Sequence, residues 1–307
     1  MTTQPASGTA RARMWELIRE RSRRVVTVPV RVGAIARASH SYYRITLEGS
    51  GLAAYVDPLP ADAFKLSLPA QPGTSVPLPT YQDGAAQWPA GSIEPVVRAY
   101  TVRHADPTGN WLTFDLLDHP GGAGPAWLHA ARPGDELGLT GFRVDFMESE
   151  DSDTLLVVAD PSALPAAATI IEAMAGRKRT VAVLEAPDEG DRGLVETGDG
   201  IEIVWVEHSS TSLLDAVQAL NLPNRGVQAW VAGESGRVKA IRRHLLHHRR
   251  LSRDDVHAVG YWKEGLTSQQ EFDDSLKRFN DAIAAGEDVL DPDVLQRWAF
   301  DSSEASV

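Results

Sequence analysis

The chain has 307 residues, of which 43% are hydrophobic, with a formal net charge of −12 at pH 7 and no cysteine. That length suits two ordinary domains, because single cores stop growing beyond about 250–300 residues. The acidity argues against a general nucleic-acid binder, and the missing thiols exclude disulfides, thiolate nucleophiles and cysteine-held iron–sulfur clusters.

The first segment, "ARARMWELIRERSRRVV", carries Arg11, Arg13, Arg19, Arg21, Arg23 and Arg24 against Glu16 and Glu20. Its two glutamates and the lack of a long apolar run argue against a transit peptide or a membrane helix. It is expected to form a solvated basic helix or arm over residues 1–24, on a cytoplasmic, monomeric protein with no stable membrane insertion.

Six short β-branched or aromatic runs follow: "VVTVPVRVGAIA", "SYYRITLEG", "AFKLSLP", "PVVRAYTVR", "NWLTFDLLD" and "DELGLTGFRVDF". Gly, Pro, Asn and Asp separate them, and Tyr43, Ile45 and Leu47 share one face of their strand. Six strands without intervening long helices predict a six-stranded antiparallel barrel over residues 25–148, with a long loop from Gln71 to Glu94. Beyond Asp151 the pattern changes. "TLLVVAD", "TVAVLEA", "IEIVWVEH", "VQAWVAGE" and "VHAVGYW" are continuous apolar runs alternating with helical stretches. They predict a five-stranded parallel sheet in an α/β domain over residues 149–263. Residues 264–307 read as an acidic, partly helical tail, with eleven acids against four bases beyond Tyr261.

Four stretches carry chemistry. On a strand, Arg98 and Tyr100 of "RAYT" point one way and Thr101 the other. A cation for a pyrophosphate, an aromatic face for a flavin ring and a donor at the ring edge could all come from that one strand. By themselves the four residues fit equally a surface arginine beside a half-buried tyrosine. In "GGAGPAW", Gly121, Gly122 and Gly124 permit close backbone approach, and Pro125 suits a first helical turn. The N–H groups of Ala126 and Trp127 would then face an anion. An ordinary turn before a short helix has the same composition; taken together, the two stretches favour a flavin dinucleotide.

The third stretch, "VVADPSALPAA", ends a parallel strand at Asp160. Ser162 would cap the next helix, and Ala163 would follow it at the crevice where open α/β sheets bind ligands. There is no Gly-x-Gly-x-x-Gly, so any nucleotide site is of a looser kind. "VAGESGRVKAIRRH" repeats that arrangement at Gly233, Glu234 and Ser235. In the fourth, "GYWKEG", Tyr261 and Trp262 end the last strand, where they would cover a flavin or close the sheet, with Lys263 beyond them. His244, His247 and His248 have ligand-like helical spacing, but the surrounding arginines favour a solvated helix face over a metal site.

With "FKLSLP", "RAYTVR", "HPGGAGPAWLHAARPGDELGLTGF", "ADPSALPAAATIIEAM", "VAGESGRVKAIRRHL" and "GYWKEG" in that order, the chain resembles the siderophore-interacting proteins. These are FAD-dependent ferric-siderophore reductases of ferredoxin-reductase-like fold. The resemblance implies FAD on the barrel, NADPH or NADH (in some members reduced ferredoxin) as donor, and a ferric siderophore as acceptor. It implies FAD binding by Arg98, Tyr100 and Thr101, with His119, Gly122, Gly124, Pro125, Ala126 and Trp127 around the pyrophosphate. It also implies a basic substrate pocket from Lys65, Arg103 and Lys263, and no protein nucleophile or acid–base pair. The chain departs from the family pattern at Pro161 and Ser162, where an acid and a threonine are usual, and at Phe142, where proline is usual. A reductase serving an oxygenase or free flavin, and a non-catalytic flavin- or siderophore-binding protein, are the alternative assignments.

Overall fold

The computed structural model describes residues 8–22, 27–54, 58–71, 73–82, 85–207 and 212–266, with 270, 277, 281, 285 and 286. Arg23, Arg24 and most of the acidic tail lie outside the described residues.

Helix α1 spans Ala10–Ser22 and is followed by β1 (Thr27–Arg37), β2 (Tyr42–Glu48) and β3 (Ala63–Leu68). A small hairpin of β4 (Thr80–Gln82) and β5 (Ala85–Gln87) stands inside the stretch expected to be loop. Then come β6 (Val96–Thr101), β7 (His104–Asp106), β8 (Trp111–Leu117), α2 (Ala123–Ala130) and β9 (Glu136–Arg143). These strands form an antiparallel sheet in the order β6-β3-β9-β1-β2-β8-β7. It has seven strands rather than six because the chain re-pairs after β6. Val102 N–H donates to Asp62 O (2.8 Å) beside β3, and Arg103 N–H to Thr113 O (2.7 Å) on β8. The crossing from β6 to β7 thus draws the two sheet edges together.

Alternation places Ile45, Leu47, Phe64, Leu66, Phe114 and Leu139 inside the barrel, each no more than 1% exposed. Burying one such side chain contributes roughly 1.5–3 kcal/mol. The opposite face of β2 is not solvated, however. Tyr42 is fully buried there because the second domain covers it, and its hydroxyl donates to Pro161 O (2.6 Å).

The second domain contains β10 (Thr154–Ala159), α3 (Leu164–Met174), β11 (Arg179–Glu185), β12 (Ile201–Val206), α4 (Leu213–Ala219), β13 (Val227–Glu234), α5 (Ser235–Arg243) and β14 (Val256–Trp262). Its sheet order is β12-β11-β10-β13-β14, all parallel, so the winding direction switches between β10 and β13. Every residue of β10 and β13 is buried, as strands covered on both faces require.

The expected solvated N-terminal helix is corrected. Met14 of α1 is 3% exposed, and the arginines of α1 reach both domains. Arg21 pairs with Asp62 beside the barrel (2.6 Å), Arg13 donates to Glu148 O (2.9 Å), and Arg11 approaches Asp254 (3.8 Å). The charges that suggested a free arm are satisfied by carboxylates and a carbonyl from distant parts of the chain.

Candidate functional site

Strand β6 ends its sheet, so one side of its backbone has no strand partner among the described residues. Register pairs Phe64 with Tyr100 and Leu66 with Arg98, which turns both side chains toward the barrel mouth. The Tyr100 ring lies 4.6 Å from that of Phe114 and is half-buried; burial raises its pKa while Arg98 pulls the other way. Arg98 is also half-buried, and burial lowers its pKa. Its guanidinium donates to Val97 O (2.7 Å) and meets no carboxylate among the described residues.

Helix α2 starts against this strand, so RAYT and GGAGPAW come together. A Cβ on Gly124 would stand 2.7 Å from the Tyr100 hydroxyl, so only glycine fits that approach. Gly121 and Gly122 turn into the helix at φ +80° and +90°, and Gly122 caps it without any side-chain acceptor. The helix begins two residues earlier than expected, which corrects the donor assignment. Ala126 N–H donates to Gly122 O (3.3 Å), leaving the first turn, at Ala123 and Gly124, as the source of unpaired N–H groups. Pro125, which has no N–H, stands in that turn. Trp127 is 6% exposed and packs into the barrel core rather than outward. His119 remains at the turn, its ring 3.3 Å from where a Gly122 Cβ would be. A lone half-buried cation, an exposed aromatic face and an uncapped glycine-lined helix start fit an anionic dinucleotide such as FAD.

Thr101, on the other face of β6, is 7% exposed and hydrogen-bonds to Tyr261. The Tyr261 hydroxyl also donates to Asp145 Oδ2 (3.2 Å), which accepts from Arg143 (2.6 Å). The carboxyl end of β14 is therefore tied to the strand that carries Tyr100. Lys65 is exposed on β3; the protein around it, and then Arg143, lower its pKa. Lys263 is exposed just past Trp262.

Three further expectations are corrected. Arg103 does not line a pocket: its side chain is 5% exposed, and its two terminal nitrogens grip Glu172 of α3. Asp160 is 1% exposed and fully occupied within the chain. Its Oδ1 accepts from the Ser162 N–H (2.9 Å) and hydroxyl (2.5 Å) and from Ala163 N–H (3.3 Å). Its Oδ2 accepts from Glu234 N–H (2.7 Å) and Trp262 Nε1 (2.8 Å). Burial raises its pKa against those bonds. Ser162 is consequently not the cap, and neither its donors nor the Ala163 N–H face the crevice. Gly233 is forced by the same carboxylate, since a Cβ there would come within 2.5 Å of it.

The α5 start is closed in the same way. Glu234 accepts from Arg237 N–H (2.8 Å) and Glu264 N–H (3.3 Å). Burial works against its ionisation, but backbone N–H bonds and then Arg237 leave its pKa lowered. The residues that sequence reasoning missed are Arg143, Asp145, Glu185 and Arg237. Arg143 and Asp145 sit two apart in "FRVDF", a spacing that signals a shared side but not what it faces.

The barrel, the uncapped helix start and the doubly wound sheet define a flavoprotein of ferredoxin-reductase-like fold. The ferredoxin reductase of carbazole 1,9a-dioxygenase shares that fold at TM-score 0.59 and 19% identity, covering 78% of this chain and 70% of its own. Residues 31–146 match the siderophore-interacting FAD-binding domain, and residues 152–265 the siderophore-interacting protein family. The ferric vibriobactin reductase ViuB of Vibrio cholerae is 30% identical over 238 residues, 75% of this chain and 87% of its own. The NADPH-dependent ferric-chelate reductase of Escherichia coli is 28% identical over 231 residues, 74% and 89% respectively. A siderophore utilization protein from T. fusca superposes with TM-score 0.69 at 30% identity, covering 79% of this chain and 95% of that one. The chain belongs to the siderophore-interacting protein family.

Proposed function

We propose that this protein is an FAD-dependent reductase that takes electrons from NADPH and delivers them to iron held in a siderophore, releasing Fe²⁺. The observation that carries the reading is the meeting of Arg98 and Tyr100 with the uncapped, glycine-lined start of α2. The names of the two bacterial relatives support the acceptor class, and that of the second supports the donor.

FAD, when bound, supplies a two-electron store whose electrons leave one at a time. In this reading Arg98 and the first turn of α2 hold its phosphates. Tyr100 packs against the ring, and Thr101 orients its edge while bonded to Tyr261. Tyr261 and Trp262 screen it from water on the side of the α/β domain. Lys65 and Lys263, joined by Arg143 in place of Arg103, attract an anionic ferric chelate. Siderophores grip Fe³⁺ through hard anionic oxygens that bind Fe²⁺ far more weakly, so reduction is release. No side chain need act as nucleophile or general acid. The same reading has the protein working in the cytoplasm as a monomer; no described helix is long and apolar enough to cross a membrane.

The visible spectrum of the purified protein tests each step. A protein that stays colourless after FAD reconstitution ends the flavin reading. A bound flavin that neither NADPH, NADH nor reduced ferredoxin bleaches ends the enzyme reading. Anaerobic reoxidation by ferric siderophores, with Fe²⁺ trapped, is the expected outcome. Faster turnover with free flavin or an oxygenase partner would reassign the acceptor.

A further inference from the structure

In open α/β sheets a dinucleotide lies outside the carboxyl ends of the strands, with its pyrophosphate on a helix N-terminus. Here both helix starts at the switch point are closed by the chain's own carboxylates, Asp160 before α3 and Glu234 before α5. A nucleotide bound at this edge must therefore find its cation on a side chain. The last residue of β11, the strand beside β10, is Glu185. In dinucleotide folds an acid near this position accepts from the ribose 2′-hydroxyl, and an arginine accommodates a 2′-phosphate instead. Glu185 is 2% exposed, and its Oε2 accepts from Arg237 NH1 at 2.9 Å. The acid is thus neutralised and turned away from the rim, while the Arg237 side chain remains 43% exposed. The other two guanidinium nitrogens of Arg237 have no partner among the described residues.

We propose that Arg237, aimed by Glu185, reads the 2′-phosphate of the electron donor and sets its preference for NADPH over NADH. The assignment rests on the nucleotide-dependent reductase reading above. Glu185 is a positioning residue: it fixes one edge of a planar fork and leaves the other edge for a phosphate.

The test titrates FAD-loaded protein with NADP⁺, NAD⁺ and adenosine 2′-monophosphate by calorimetry, which reads binding without turnover. Wild type is expected to bind NADP⁺ more tightly than NAD⁺. Arg237→Gln, which can still donate to Glu185, should weaken NADP⁺ and adenosine 2′-monophosphate at least about tenfold, the equivalent of one charged hydrogen bond. Its NAD⁺ affinity and its flavin-to-protein ratio should stay unchanged. Arg237→Lys should retain part of the preference. If Arg237→Gln keeps the full NADP⁺ preference, or loses NAD⁺ in equal measure, the assignment to Arg237 is overturned while the nucleotide reading stands. If neither nucleotide binds wild type, the nucleotide reading falls and takes this assignment with it.

Discussion

A methyl group on Gly124 would come within 2.7 Å of the Tyr100 hydroxyl, and the helix start beside it has no capping side chain. Gly124→Ala must move the tyrosine or the helix, a strain of about 1–3 kcal/mol. Expected together are a lower melting temperature and loss of flavin on dialysis; a fully retained flavin would mean that the contact does not shape the site. Arg98 makes a different prediction because it is half-buried without a carboxylate. Arg98→Ala removes a charged donor and should weaken FAD binding about ten- to a hundredfold, with little change in the stability of the flavin-free protein. Fluorescence titration with FAD reads the first effect and thermal unfolding the second.

Helix α1 shows what an element gains from tertiary context. Its sequence is arginine-rich and looks solvated, yet Arg21 reaches Asp62, a carboxylate with no exposed surface. Burial raises the Asp62 pKa to about 6, with Arg21 and the Leu59 N–H pulling it down. A folded-state pKa above the unfolded value gives stability that is complete below the unfolded pKa and is lost as pH rises through about 6. Relative to Asp62→Asn, wild type should gain on the order of 2–3 kcal/mol between pH 7 and pH 4. Chemical denaturation of both proteins across that window is the measurement, and a constant difference would disprove the burial argument. Met14→Asp tests the docking itself, because it places a charge on the buried face of α1. Proteolysis within residues 8–22 should accelerate in that variant while the barrel stays intact.

At the scale of the molecule, the two domains share one core. Tyr42, Ala61 and Phe146 pack in the same cluster as Leu164, Ile171 and Trp230. The linker is bonded into that arrangement: Trp230 Nε1 donates to Asp145 O (2.9 Å) and Gln228 Nε2 to Met147 O (2.7 Å). Arg103 clamps Glu172 across the boundary, and Arg44 grips Asp115 alongside (2.7 and 2.8 Å). Unfolding is therefore expected as one cooperative transition. Arg103→Ala should destabilise by about 3–5 kcal/mol, since it strands Glu172 at a mostly buried boundary. It should leave the KM for a ferric chelate unchanged. Lys65→Ala, on an exposed residue, should raise that KM with stability within about 0.5 kcal/mol of wild type. Opposite results would return Arg103 to the substrate pocket.

The amino-acid sequence alone was enough for the two sheets, the change from alternating to continuous apolar strands, and the two stretches that meet at the candidate flavin site. Those features are local: period-two alternation, glycine turns and β-branched runs act over a few residues. The roles of Arg103, Asp160, Ser162 and α1 were decided only by the tertiary structure. A charged or capping side chain takes its meaning from partners far along the chain, Glu172 for Arg103 and Asp62 for Arg21. Asp160 looked like a ligand contact from its place at a strand end. Burial beneath Trp262 and Glu234 made it a brace instead, because a carboxylate withdrawn from water must collect its hydrogen bonds from the protein around it.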